Sequence, residues 1–168
     1  MELKKARAIA DDIVTKLKPF CERIEIVGSI RRGKPFVHDI DIVCIPANQG
    51  QFVNTLHHMG LLKVGGGKLI RVELQNSYPA NLMLDVYIAT PDTWATLLLI
   101  RTGSKEHNIR MCIRARSRGM TLKADGSGLF NVAPDVIPEY REARIDGDTE
   151  ESIFKALNLP YLAPEQRN

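Results

Sequence analysis

The stretch VGSIRRGKPFVHDIDIVCIP, residues 27–46, constrains this chain more than any other. It closes on an apolar run headed by two aspartates, Asp39 and Asp41, one residue apart. Aspartate is depleted in strands, and like charges on one strand face repel each other. The run DIDIVCIP otherwise reads as a core strand ended by Pro46. Side chains two apart share a face, so both carboxylates point one way, while Ile40, Ile42 and Cys44 point into a core. A lone acid, Asp85, sits in a second strand-like run, NLMLDVYIA, on the face opposite Leu82, Leu84, Val86 and Ile88. If the two runs pair, three carboxylates converge. Unpaired, they repel, and a divalent cation with oxygen ligands, Mg²⁺ or Mn²⁺, resolves the repulsion. On that argument Asp85→Asn leaves metal-free stability equal or higher.

Taken alone, an alternating aspartate pair is more often a solvated sheet edge. The residues before it change the balance. Gly28 and Ser29 follow the strand-like run RIEIVG, where backbone N–H groups can cradle a phosphate. Arg31 and Arg32 supply forked phosphate donors. Phosphate cradle, cations and acids in that order make a nucleoside triphosphate site. Two metal ions about 3.5–4 Å apart there can clamp the attacking and leaving oxygens of a phosphoryl transfer.

The rest of the chain supports an α+β fold. Leu3, Ala6, Ile9, Ala10, Ile13, Val14 and Leu17 recur at helical spacing before Pro19. QFVNTLHHMG reads as a short helix, and GGGKLIRVEL as a glycine turn entering a strand. After Thr90 and Pro91 the pattern becomes mainly helical, with helices near 92–101 and 105–118. MTLKADGSGLFN reads as a hairpin, and Thr149 caps a last helix through Leu157. A seam near residue 90 divides residues 1–90 from residues 91–168.

At 168 residues and 44% hydrophobic content the chain can bury a core. Its net charge of +3 says little. The distribution says more: Arg101 to Lys123 holds seven Lys/Arg and one acid, and Pro134 to Asn168 holds eight Asp/Glu and four Lys/Arg. That points to a local anionic partner. Three cysteines without metal spacing and a charged N-terminus predict reduced thiols in a cytoplasm, of a cell or of a virus's host, with no membrane span and no secretion.

GSIRRGK followed by DID and a later lone Asp resembles the nucleotidyltransferase superfamily of DNA polymerase beta. TGSKEHN, residues 102–108, and the closing TEESIFKALNLPYLAPEQRN resemble the family X DNA polymerases, bacterial members above all. The resemblance implies a palm of mixed β-sheet with flanking helices at 1–90. It implies a small, mainly helical nucleotide- and nascent-base-pair-binding subdomain with a hairpin at 91–168. It also implies a two-metal enzyme, with Mg²⁺ or Mn²⁺, that adds dNTPs to a primer in short DNA gaps during repair. Asp39, Asp41 and Asp85 would hold the metals, with Asp85 helping to deprotonate the primer 3′-hydroxyl. Gly28, Ser29 and Arg32 would hold the β- and γ-phosphates. Thr102 and Gly103 would shape the sugar pocket, and Asn108, on one helix face with Lys105, Cys112 and Arg116, would touch the incoming base. The alternatives are a template-independent terminal transferase and a non-catalytic nucleic-acid-binding module.

Several positions depart from the family. His38 stands where relatives have Gly, as a surface residue or as a further phosphate-binding cation. Ile100-Arg101 replaces an aromatic pair, which predicts weak sugar discrimination. Cys112 replaces a template-reading arginine, a role Arg116 can partly take. His107, Arg110, Arg114 and Arg118 form a basic stripe suited to a DNA backbone. The lyase and phosphoesterase domains of larger relatives are expected to be absent. The expectation is therefore a distributive, low-fidelity monomer, helped by a ligase or end-joining factor.

Overall fold

A computed structural model describes residues 1–132 and 143–168. The chain divides into two compact units, Met1–Thr90 and Pro91–Asn168.

The first unit is built on a mixed five-stranded sheet. Its strands are β1 (Cys21–Ile26), β2 (Ile40–Pro46), β3 (Gly60–Gly65), β4 (Leu69–Leu74) and β5 (Met83–Ile88), in the order β1-β2-β5-β4-β3. Only β2 and β5 run parallel; the other pairs are antiparallel. Helix α1 (Leu3–Leu17) buries Ala6, Ala10, Ile13 and Leu17, the i, i+4, i+7, i+11 stripe of an amphipathic helix. Pro19 sits in the 3₁₀ turn that ends it. Helix α3 (Gln49–Met59) starts where the Asn48 side chain accepts from the Gln51 N–H, and it buries Phe52, Leu56 and Met59. Both helices share one apolar cluster with Ile40, Ile42, Cys44, Val72 and Val86 of the sheet.

β2 is buried more completely than its alternation suggests, because Val43 and Ile45 on the other face are also covered. Two elements of this unit are new relative to the sequence. A one-turn helix α2 (Gly28–Arg31) follows β1, and β3 pairs with β4 as a hairpin around the glycines at 65–67.

In the second unit, α4 (Trp94–Thr102) begins after a turn at 91–93, and α5 (Lys105–Arg116) follows it closely. The hairpin β6 (Met120–Lys123) and β7 (Gly128–Asn131) gains a short third strand, β8 (Arg144–Asp146). Its turn is closed by Asp125, whose Oδ1 accepts from the Ser127 N–H and hydroxyl. Helix α6 (Glu150–Ala156) starts at a capping box of Thr149 and Ser152. The core comprises Leu99, Met111, Ala115, Leu122, Leu129, Ile153, Phe154 and Leu157. Part of the acidic segment 134–168 lies outside the described residues. No helix among the described residues is long and apolar enough to cross a membrane.

Candidate active site

The first unit gathers the acids around the centre of its sheet. Asp41 and Asp85 are register partners on the parallel strands β2 and β5. Asp39 lies immediately before β2, half-buried like Asp41, whereas Asp85 is buried. The burial follows from position: β5 is flanked by β2 on one side and β4 on the other.

The Gly28–Ser29 turn packs directly on this point. Gly28 adopts φ +61°, in the left-handed region, and is buried. A Cβ placed on it would lie 2.0 Å from Asp41 Oδ2. The Val27 N–H donates to the Asp41 carbonyl at 2.9 Å, tying the turn to the strand. The buried Ser29 Oγ has no hydrogen-bond partner in the structure. Buried hydroxyls are nearly always satisfied, so this orphan marks a place where a ligand oxygen fits. Arg32 ends α2, and His38 is exposed one residue before Asp39.

Asp85 is not left unpaired. Arg71, its register partner on β4, grips it with a two-pronged fork, Nε to Oδ1 and Nη2 to Oδ2, each at 2.6 Å. The Asp85 hydrogen bonds, with its charge and smaller contributions from Tyr87 and Asp39, hold the guanidinium above its ordinary pKa. This corrects the picture of three unpaired carboxylates. Asp85→Asn would remove a charge-assisted fork, so metal-free stability falls by about 1 kcal/mol rather than rising, which urea unfolding measures.

Among the described residues no three acids, histidines or cysteines are gathered closely enough to hold an ion. The donor chemistry nonetheless fits one. Asp39, Asp41 and Asp85 offer only carboxylate oxygens, which suit Mg²⁺ or Mn²⁺, and Asp85 already takes a cation. Arg71 escaped the sequence reading. In LIRVEL it looks like an ordinary outward residue, and only the β4–β5 register sets it opposite Asp85.

In the second unit, TGSKEHN forms the joint between α4 and α5. Thr102 is buried at the end of α4 and Gly103 follows as its cap. Ser104 starts α5 by accepting from the His107 N–H at 3.0 Å. The Asn108 amide donates back to the Ile100 carbonyl at 2.8 Å, capping α4. A Cβ on Gly103 would lie 2.5 Å from Asn108 Oδ1, so the Asn108 side chain would have to shift to admit one. Lys105, Asn108, Cys112 and Arg116 line one open recess of about 530 Å³, as the helical spacing implies. Exposed Ile109 and Ile113 share it, at a one-turn spacing the sequence displayed but the basic pattern overshadowed.

The basic stripe divides. His107 is buried beside Phe154, their ring centroids 6.0 Å apart. Arg110 donates to the Asn168 carbonyl at 2.7 Å, and Arg114 to the Leu157 carbonyl at 2.8 Å. Those two arginines spend donors on the chain's own C-terminal segment. Arg116 and Arg118 are exposed.

Comparison with known proteins finds similarity to DNA polymerases. The family described as DNA polymerase beta thumb matches residues 97–168. DNA polymerase/3'-5' exonuclease PolX of Bacillus subtilis is 27% identical over 167 residues, covering 96% of this chain and 27% of the relative. DNA polymerase lambda of Rattus norvegicus is 26% identical over 170 residues, covering 84% of this chain and 28% of the relative. The chain thus spans little more than a quarter of either relative's length. Leishmania infantum polymerase beta, in a ternary gap complex, superposes with a TM-score of 0.84 at 20% identity, covering 100% of this chain and 70% of that one. Residues 97–168 thus match the DNA polymerase beta thumb family, and the chain as a whole is similar to family X DNA polymerases.

Proposed function

We propose that the chain is a template-directed DNA polymerase that adds dNTPs to a primer 3′-hydroxyl in short gaps during repair. The observation that carries this is the contact of the Gly28–Ser29 turn with Asp41, the register partner of Asp85. A phosphate cradle and two acids meet at one point, as phosphoryl transfer requires.

In this reading the Gly28 and Ser29 amides, the Ser29 hydroxyl and Arg32 bind the β- and γ-phosphates, with His38 at the rim. Asp39, Asp41 and Asp85 would hold the two divalent ions, whose chemistry there would be the neutralisation of developing negative charge. An Asp85 carboxylate oxygen receives the primer hydroxyl proton. Thr102 and Gly103 form the sugar pocket. Lys105 and Asn108 meet the nucleotide, and Asn108 turns from the Ile100 carbonyl to the base edge to do so. Catalysis is mostly positioning and electrostatic stabilisation.

Primer extension on a one-nucleotide gapped duplex, with each dNTP singly and with Mg²⁺ or Mn²⁺, tests the proposal beside the same primer without template. Addition of the complementary base alone is the expected result. Addition regardless of template makes the chain a terminal transferase, a reading that Cys112 favours because a thiol cannot replace a template-reading guanidinium. No addition in either metal removes the enzyme reading.

Two further outcomes follow from departures in the second unit. Ile100 packs on the core and offers no aromatic screen, so ribonucleotides compete with deoxyribonucleotides. A deoxy preference of many thousandfold in single-turnover incorporation would contradict that. Arg116→Ala and Arg118→Ala should each lower the salt slope of DNA binding by about one. Arg114→Ala should leave the slope almost unchanged and lower stability, because it donates to the Leu157 carbonyl.

A further inference from the structure

We propose that Arg71 is a resident counter-cation of the acid site, which must release Asp85 before a divalent ion can be held there. This rests on the reading of Asp85 as a metal-binding acid.

The geometry makes the two cations rivals. Arg71 engages both carboxylate oxygens of Asp85 at once, at 2.6 Å each. A forked guanidinium fixes the carboxylate plane as well as neutralising it. An ion on the same oxygens would bring a double positive charge within a few ångströms of the guanidinium, and such neighbours repel strongly in a poorly solvated site.

The partners differ in freedom. The Asp85 side chain is 5% exposed and that of Arg71 is 44% exposed. The carboxylate is therefore held in the sheet, while the arginine can leave for water without opening the core. Arg71 also senses Asp39 and Tyr87. On release it stays within reach of the Asp39 carboxylate and can return. Asp41 approaches Asp85 from β2, and Arg71 approaches it from β4. Asp85 thus stands between an acid that would share an ion with it and an arginine that replaces one.

The coupling is reciprocal: as far as Arg71 weakens ion binding, the ion weakens the fork. The protein then resists loading by metal alone and closes its acid cluster when an ion arrives strongly enough held to displace the arginine.

The test is Mn²⁺ binding to the full chain without nucleotide or DNA, followed by electron paramagnetic resonance of free Mn²⁺. Arg71→Ala should tighten binding by roughly tenfold, within the usual range of coupling between sites. Arg71→Lys, which keeps a charge but not the fork, should fall between it and wild type. Adding Asp85→Asn to Arg71→Ala should erase the gain. Arg71→Gln, which keeps the stem on β4, serves if the alanine variant loosens the sheet. Unchanged or weaker Mn²⁺ binding in both neutral variants overturns the proposal, as does a gain that survives Asp85→Asn or a failure of every variant to bind Mn²⁺. Primer extension is scored separately. Extension by wild type with no change in Mn²⁺ affinity removes the role of Arg71 alone. Tighter Mn²⁺ binding with no extension by wild type keeps that role and removes the polymerase reading.

Discussion

Gly28→Ala is expected to reduce primer extension at least ~100-fold and to lower stability by roughly 2–4 kcal/mol. Two costs add. Gly28 holds φ +61°, where an L-residue pays about 1–2 kcal/mol. The new methyl would also stand 2.0 Å from Asp41 Oδ2 and 2.8 Å from its Cγ, so the carboxylate must move. Moving it displaces the acid that faces Asp85 across the sheet, which links the stability loss to the activity loss. Gly67→Ala is the control, since a Cβ there meets nothing within 4 Å. It should change neither quantity, which would also identify the glycines at 65–67 as a plain hairpin turn. Urea unfolding and gapped-primer extension measure both effects. An alanine variant at Gly28 that extends primers at the wild-type rate would show that the Gly28–Asp41 contact is incidental.

Arg167→Ala should destabilise the second unit by about 3–5 kcal/mol. Arg167 is fully buried and forms an ion pair with buried Glu150. It also donates to the Leu162 carbonyl at 2.9 Å and the Tyr161 hydroxyl at 3.1 Å. Its guanidinium lies 5.6 Å from the Phe154 ring centroid and 5.3 Å from that of Tyr161. Removing it takes the ion-pair partner from buried Glu150, and that dominates the loss. Arg167→Met with Glu150→Gln should therefore recover much of the stability, because neither charge is then stranded. The effect reaches the candidate site within the same unit. The Arg167 carbonyl accepts from the Ser104 N–H, and Ser104 starts the helix that carries Lys105 and Asn108. A chemical denaturation midpoint shared by Arg167→Ala and wild type would contradict this account.

Local chemistry made much of this legible. The α1 stripe, the Thr149 cap and the Asp125–Gly126 turn are each set by residues close in sequence. The pairing of DIDIVCIP with NLMLDVYIA was also inferable, since each run carried its acid on one strand face. What escaped depends on register or on distant partners. Arg71 meets Asp85 only because β4 pairs with β5 without a slip. Arg110 and Arg114 look like a DNA-facing stripe on a helical wheel, yet they serve carbonyls 43 or more residues away. β3 was hidden because LLKV sits beside three glycines and leaves most of its side chains exposed. β8 is three residues long and gives too short a pattern to read.

The central claim is that Asp41 and Asp85 form one phosphoryl-transfer site. The most direct measurement is single-turnover extension of a one-nucleotide gapped duplex by Asp41→Asn and Asp85→Asn, each beside wild type. An acid that holds a metal contributes several kcal/mol to the transition state, so each variant should extend at least about a thousandfold more slowly while remaining folded. Extension within tenfold of wild type by either folded variant would contradict the claim.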